Sequence, residues 1–224
     1  MKRLFLVLLI ICVSGLCAQP NSSVPLTEKV EWTRSERPEV VVPNLPNVLL
    51  VGDSISLGYF GAVTEGLKGI ANVYLFASSA CSGDARLEEQ LREYFRMVGV
   101  RFSVIHFNNG MHGWGYGEQQ YAAGLPDLIA TLRTWAPGAK LIWTSTTPVL
   151  HDSTVNHATN ARIEARNKLA AEVVSREGIS IDDQHELMLQ HQELHDGDIH
   201  FTASGSAIQA KQVSTIIRGS LHEP

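Results

Sequence analysis

Val48-Leu49-Leu50-Val51-Gly52-Asp53-Ser54-Ile55-Ser56 decides the architecture. Four apolar residues, too apolar for a strand with one face in water, run directly into a glycine-led polar break. Strands buried on both faces belong to parallel sheets covered by helices. The same pattern recurs along the chain. Residues 48–51, 73–77, 102–107, 140–145 and 179–182 read as strands, and helical spacing appears near 84–98, 118–135, 160–177 and 203–218. Leu87, Leu91, Tyr94 and Phe95 share one face of the first helical stretch, and Ile163, Ala170, Val173 and Val174 one face of the third. Such alternation predicts an α/β fold of three layers, α/β/α, with five parallel strands joined by right-handed crossovers. In open parallel sheets ligands bind beyond the C-terminal strand ends, so the chemistry belongs in the loops that follow the strands.

The frame around this domain is set by length and charge. The chain has 224 residues, 44% hydrophobic and 18% charged, which fits a packed globular protein and excludes disorder as the main state. Lys and Arg number 18 against 23 Asp and Glu, a net charge of −5, so nothing marks a nucleic-acid partner. The N-terminus reads as an export signal over residues 1–18. Basic Lys2 and Arg3 precede an apolar run over 4–13 and the small-residue stretch Ser14-Gly15-Leu16-Cys17-Ala18, with cleavage expected after Ala18. The run is shorter than the roughly 20 residues that span a bilayer, so no stable membrane anchor is expected. Leu16 before Cys17 gives lipid attachment poor support. Loss of Cys12 and Cys17 with the leader would leave Cys81 alone, without a disulfide. Residues 19–46, punctuated by five prolines and one β-favouring patch at Val40-Val41-Val42, read as a lead-in draped on a domain over 47–224.

Ser54 falls at the start of the segment after the first strand, where free backbone N–H groups and a helix dipole stabilise negative charge. A nucleophile suits that place, although Asp53 or Ser54 could equally cap a helix. After the last strand, Asp196-Gly197-Asp198-Ile199-His200 sets an imidazole beside carboxylates that could orient it as a general base. The third strand ends in Asn108-Asn109-Gly110, where either side-chain amide could aim at an oxyanion or simply build a turn. Ser78 to Gly83 forms a small-residue loop after the second strand, where Gly83 would let a backbone N–H approach a substrate. His112-Gly113-Trp114-Gly115-Tyr116-Gly117 could stack a sugar or pack on the domain. His185, His191 and His195 lie beside Glu186, Glu193 and Asp196, but neither a HExxH pattern nor a cysteine cluster accompanies them, and a solvated polar helix explains them better than a metal.

Taken in order, Gly52-Asp53-Ser54, the glycine after the second strand, the asparagine after the third and the Asp/His element before the last helix resemble the SGNH (GDSL) hydrolase family, over roughly residues 48–218. The resemblance implies a flavodoxin-like three-layer fold and ester hydrolysis through an acyl-serine, without metal or organic cofactor. It implies Ser54 as nucleophile and His200 as general base, with the Ser54 N–H, Gly83 and Asn108 as oxyanion donors. The chain departs from the family twice. His106 and Asn109 stand where the third block has Gly and Asp, and Gly197 stands where the acid usually precedes the histidine by three. Asp198 is preferred as the acid, with Asp196 as the alternative. The function expected is an exported serine esterase for small acyl esters, with acetyl on a carbohydrate the preferred substrate in the family's habit. A non-catalytic carbohydrate-binding module on the same fold, or a lipid or thioester hydrolase, are the other readings.

Overall fold

The computed structural model describes residues 26–154 and 157–222; the leader expected over 1–18 lies outside the described residues. The stretch that opens the domain forms β2 (Asn47–Gly52), buried from Val48 onward. It pairs in parallel with β3 (Asn72–Ser78) on one side and β4 (Val104–Phe107) on the other. Beyond β4 lie β5 (Lys140–Thr144) and β6 (Ser180–Asp182), again parallel. Alternate side chains of these strands feed two separate cores, as a sheet covered on both faces requires. Leu49, Val51, Ile105, Phe107 and Trp143 point into the layer built by α2 (Arg86–Val98), α3 (Glu118–Trp135) and α4 (Asn160–Arg176). Val48, Leu50, Val104 and Ile142 point into the opposite layer, against Tyr59 and Val63 of α1 (Ser54–Gly66) and Val213 and Ile217 of α6 (Ala203–His222).

Six strands form the sheet rather than the five expected, in the order β1-β3-β2-β4-β5-β6. The extra one, β1 (Thr33–Glu36), comes from the lead-in and runs antiparallel to β3. Its residues are polar because its attachment is a main-chain ladder on an open sheet edge, which needs no apolar side chains. The valine patch that suggested a strand is instead exposed, Val40 by 75%.

From β2 the chain moves to β3 on one side and then to β4 on the other, so the crevice where strand order reverses opens beside the C-terminal end of β2. After β6 come α5 (Gln184–Leu189) and a small hairpin of β7 (His195–Asp196) and β8 (His200–Phe201), which leads into α6. No helix among the described residues is long and apolar enough to cross a membrane.

Candidate active site

Ser54 is the first residue of α1, and Asp53 caps that helix. The Asp53 carboxylate accepts the Ile55 N–H at 3.0 Å through one oxygen and the Met111 N–H at 3.1 Å through the other. Asp53 thereby does the capping, pins the β4–α3 loop to the serine turn, and leaves the Ser54 hydroxyl free. Gly52 permits the turn because a Cβ there would lie 2.0 Å from Ser56 Oγ. The Ser54 N–H sits in the first turn, where the helix offers it no acceptor.

The Ser54 hydroxyl lies 2.9 Å from His200 Nε2, across 146 residues of chain. Packing explains the meeting. Ile55, next to the serine, and Ile199, next to the histidine, pack against one small core of Met111, Trp114, Val149, Ala158 and Ile163. His200 is exposed and Ser54 half-buried, so the pair faces solvent. The His200 carbonyl accepts from His195 Nδ1 at 3.1 Å. Burial outweighs that bond and holds the His195 imidazole below its ordinary range, which keeps it neutral.

The carboxylate expected behind His200 is elsewhere. Asp198 Oδ1 accepts from His151 Nδ1 at 2.9 Å, and among the described residues no hydrogen bond or ion pair joins Asp198 or Asp196 to His200. The cause is the hairpin: Gly197 has φ +73°, a left-handed turn that favours glycine, so the place three residues before the histidine is taken by the β7–β8 turn.

Of the expected oxyanion donors, the Asn108 amide is committed to the scaffold. Asn108 Nδ2 donates to Thr144 O and, at 3.1 Å, to Thr146 Oγ1, so both amide hydrogens tie the end of β4 to the end of β5 and the segment after it. Asn109 Nδ2 donates to Gly52 O at 2.8 Å, Ala80 O at 3.2 Å and Ser78 O at 3.3 Å. Gly83 serves close packing on α3, where a Cβ would stand 3.1 Å from Gln120 O. His106, in the family's glycine place, is wholly buried and bonds Asp182 Oδ2 through Nε2 at 2.8 Å.

The aromatic loop packs on the domain. Trp114 and Tyr116 are buried, which removes their rings as a sugar platform. Beneath them lies Arg166 of α4, fully buried, which donates to the carbonyls of Gly110, His112, Gly113 and Tyr116 at 2.7–3.1 Å. Its guanidinium stands 3.9 Å from the Trp114 ring centre. Arg162, one turn earlier, pairs with Glu118 and donates to Trp114 O and Tyr116 O. Sequence reasoning missed both arginines, whose signal was two cations four apart flanking the apolar Ile163. It also missed Glu28, which accepts from His112 Nδ1 at 2.9 Å and from the Gly113 N–H at 2.8 Å.

Among the described residues no three His, Cys, Asp or Glu side chains could hold a metal. Burial pushes the Cys81 thiol up to about 11, so it is not a ready nucleophile.

Residues 50–208 match the GDSL-like lipase/acylhydrolase family. No curated protein matches the chain in sequence. Among solved structures, a carbohydrate acetylesterase family member from Sinorhizobium meliloti superposes with TM-score 0.65 at 13% identity, covering 80% of this chain and all of that one. A GDSL-like lipase from Bacteroides thetaiotaomicron gives 0.61 at 14%, covering 78% and 88%. The catalytic domain of a Streptococcus pneumoniae peptidoglycan O-acetyltransferase gives 0.58 at 19%, covering 80% and 97%. At these identities the likeness is one of fold.

Proposed function

The chain belongs to the GDSL-like lipase/acylhydrolase family, and from that membership we propose that it is an exported serine esterase that removes small acyl groups, acetyl foremost, from carbohydrate through an acyl-Ser54 intermediate. The observation that carries the reading is the 2.9 Å contact of Ser54 Oγ with His200 Nε2 at the N-terminus of α1. His200 takes the hydroxyl proton as Ser54 attacks the ester carbonyl, then gives it to the leaving alcohol. The Ser54 N–H and the α1 dipole face the developing oxyanion. Water, deprotonated by His200, then releases the acid from Ser54. Asn108 acts here as a strut that places strand ends.

Because Asp198 bonds His151, His200 works without its carboxylate. Asp198→Asn is expected to change kcat by less than about tenfold, whereas loss of a true triad acid costs on the order of 10⁴-fold. Steady-state kinetics separate the two.

Small acyl groups suit a dyad open to solvent, which buries little of a long chain and so gains little from it. Carbohydrate as the carrier follows the Sinorhizobium acetylesterase in fold, and export follows the leader pattern of residues 1–18. The test is a p-nitrophenyl ester series: kcat/KM should be highest for acetate and fall steadily by butyrate and octanoate. A rise with length would favour a lipid hydrolase.

A further inference from the structure

The Glu28–His112 pair lies outside the chemistry just described, yet it borders it. Met111 donates its N–H to Asp53, the residue before Ser54, so His112 follows directly on a residue pinned to the serine turn. His200 arrives at that turn from the α6 layer, while the loop bearing His112 leads into α3 on the other side of the sheet.

The imidazole of His112 is held by two neighbours, and the peptide after it is anchored as well. Glu28 Oε2 accepts at Nδ1, the ring meets Trp32 edge-on at 5.7 Å, and the next peptide is fixed by Glu28 Oε1. A carboxylate only accepts, so Nδ1 carries a proton and Nε2 is the ring nitrogen left for other work. No hydrogen bond engages Nε2 among the described residues, and the side chain keeps 20% of its surface exposed. Burial opposes charge on this imidazole, but the bond to Glu28 and the carboxylates of Asp53, Glu28 and Glu31 outweigh it and hold the group above its ordinary range.

The pair is not needed to fasten the segment that carries Glu28. Leu26 donates its N–H to Tyr116 OH at 3.0 Å, Trp32 and Ser79 exchange backbone and side-chain bonds, and Glu31 meets Ser79 Oγ at 2.7 Å and Arg86 at 3.2 Å. The β1–β3 ladder continues the attachment. A half-buried carboxylate and imidazole cost desolvation that an apolar pair would avoid. What they supply instead is an oriented ring with one uncommitted polar atom.

We propose that His112, oriented by Glu28, is a specificity residue whose Nε2 hydrogen-bonds a free hydroxyl of the substrate next to the ester held at Ser54. The lead-in thus contributes to recognition of polyhydroxylated esters, an inference that rests on the esterase reading above.

The test compares two esters on the full chain: p-nitrophenyl acetate, whose alcohol has no free hydroxyl, and a monoacetylated methyl glucoside, which keeps three. His112→Phe is expected to lower kcat/KM for the glucoside at least about tenfold, mainly through KM, and to leave p-nitrophenyl acetate within about twofold. Glu28→Gln should move in the same direction by less, and it keeps the comparison open if His112→Phe does not fold. Equal losses on both esters would make the pair a structural clamp and overturn the proposal, as would no change on either. Wild-type protein that cleaves p-nitrophenyl acetate but shows no selective loss in the variants would sink this inference alone. Wild type inert toward both esters would remove the esterase reading and this inference with it.

Discussion

Ser54→Ala is expected to lower kcat for p-nitrophenyl acetate by on the order of 10⁴-fold or more, because no other group among the described residues shares the hydroxyl's contact with His200. The same change should barely touch stability. Asp53, not Ser54, caps α1, so no cap is lost. The hydroxyl is only half-buried, and its one hydrogen bond contributes about 1 kcal/mol. Kinetics and thermal unfolding of one preparation check both halves. Turnover within tenfold of wild type would remove Ser54 from the chemistry, and a large drop in Tm would show that it belongs to the scaffold.

Arg166→Leu carries the largest expected cost in stability. The arginine is fully buried, and its charge is met by four carbonyls and two aromatic faces, with no ion pair to a carboxylate among the described residues. Leucine would fill part of the volume but leave Gly110, His112, Gly113 and Tyr116 with fewer donors in a buried loop. Each orphaned acceptor costs about 1–3 kcal/mol, and the desolvation relieved by removing the charge offsets part of that sum. Roughly 3–5 kcal/mol remains, which for a domain of this size lowers Tm by on the order of 10 °C. Calorimetry decides it; an unchanged Tm would mean that the loop holds itself. Loss of activity should accompany the drop, since this loop pins Asp53 and hence the serine turn.

Strand–loop–helix alternation, being a property of local pattern, was legible. The five parallel strands, the crevice beside β2, and the meeting of Ser54 with His200 follow from apolar runs and the convergence of loops at one sheet edge. What pattern could not show depends on main-chain pairing and on which partner a side chain finds. β1 attaches through its backbone, so polar Thr33–Glu36 carry no apolar signal. α1 hides because Gly58 and Gly61 interrupt its helical pattern. Asp198 stands two residues from His200 in sequence, yet the turn at Gly197 sends its carboxylate to His151. Asn108 has the right side chain for an oxyanion, but its hydrogens are spent on β5 and the segment after it. Arg166 and Glu28 act at sequence distances that no local window spans.

Labelling with a fluorophosphonate, followed by mass mapping of the modified peptide, asks most directly whether the serine at the tip of β2 is an activated nucleophile, and it presupposes no substrate. The predicted result is one adduct, on Ser54, lost when His200 is replaced by glutamine. An adduct on another serine, or an unlabelled Ser54 in folded protein, would contradict the account.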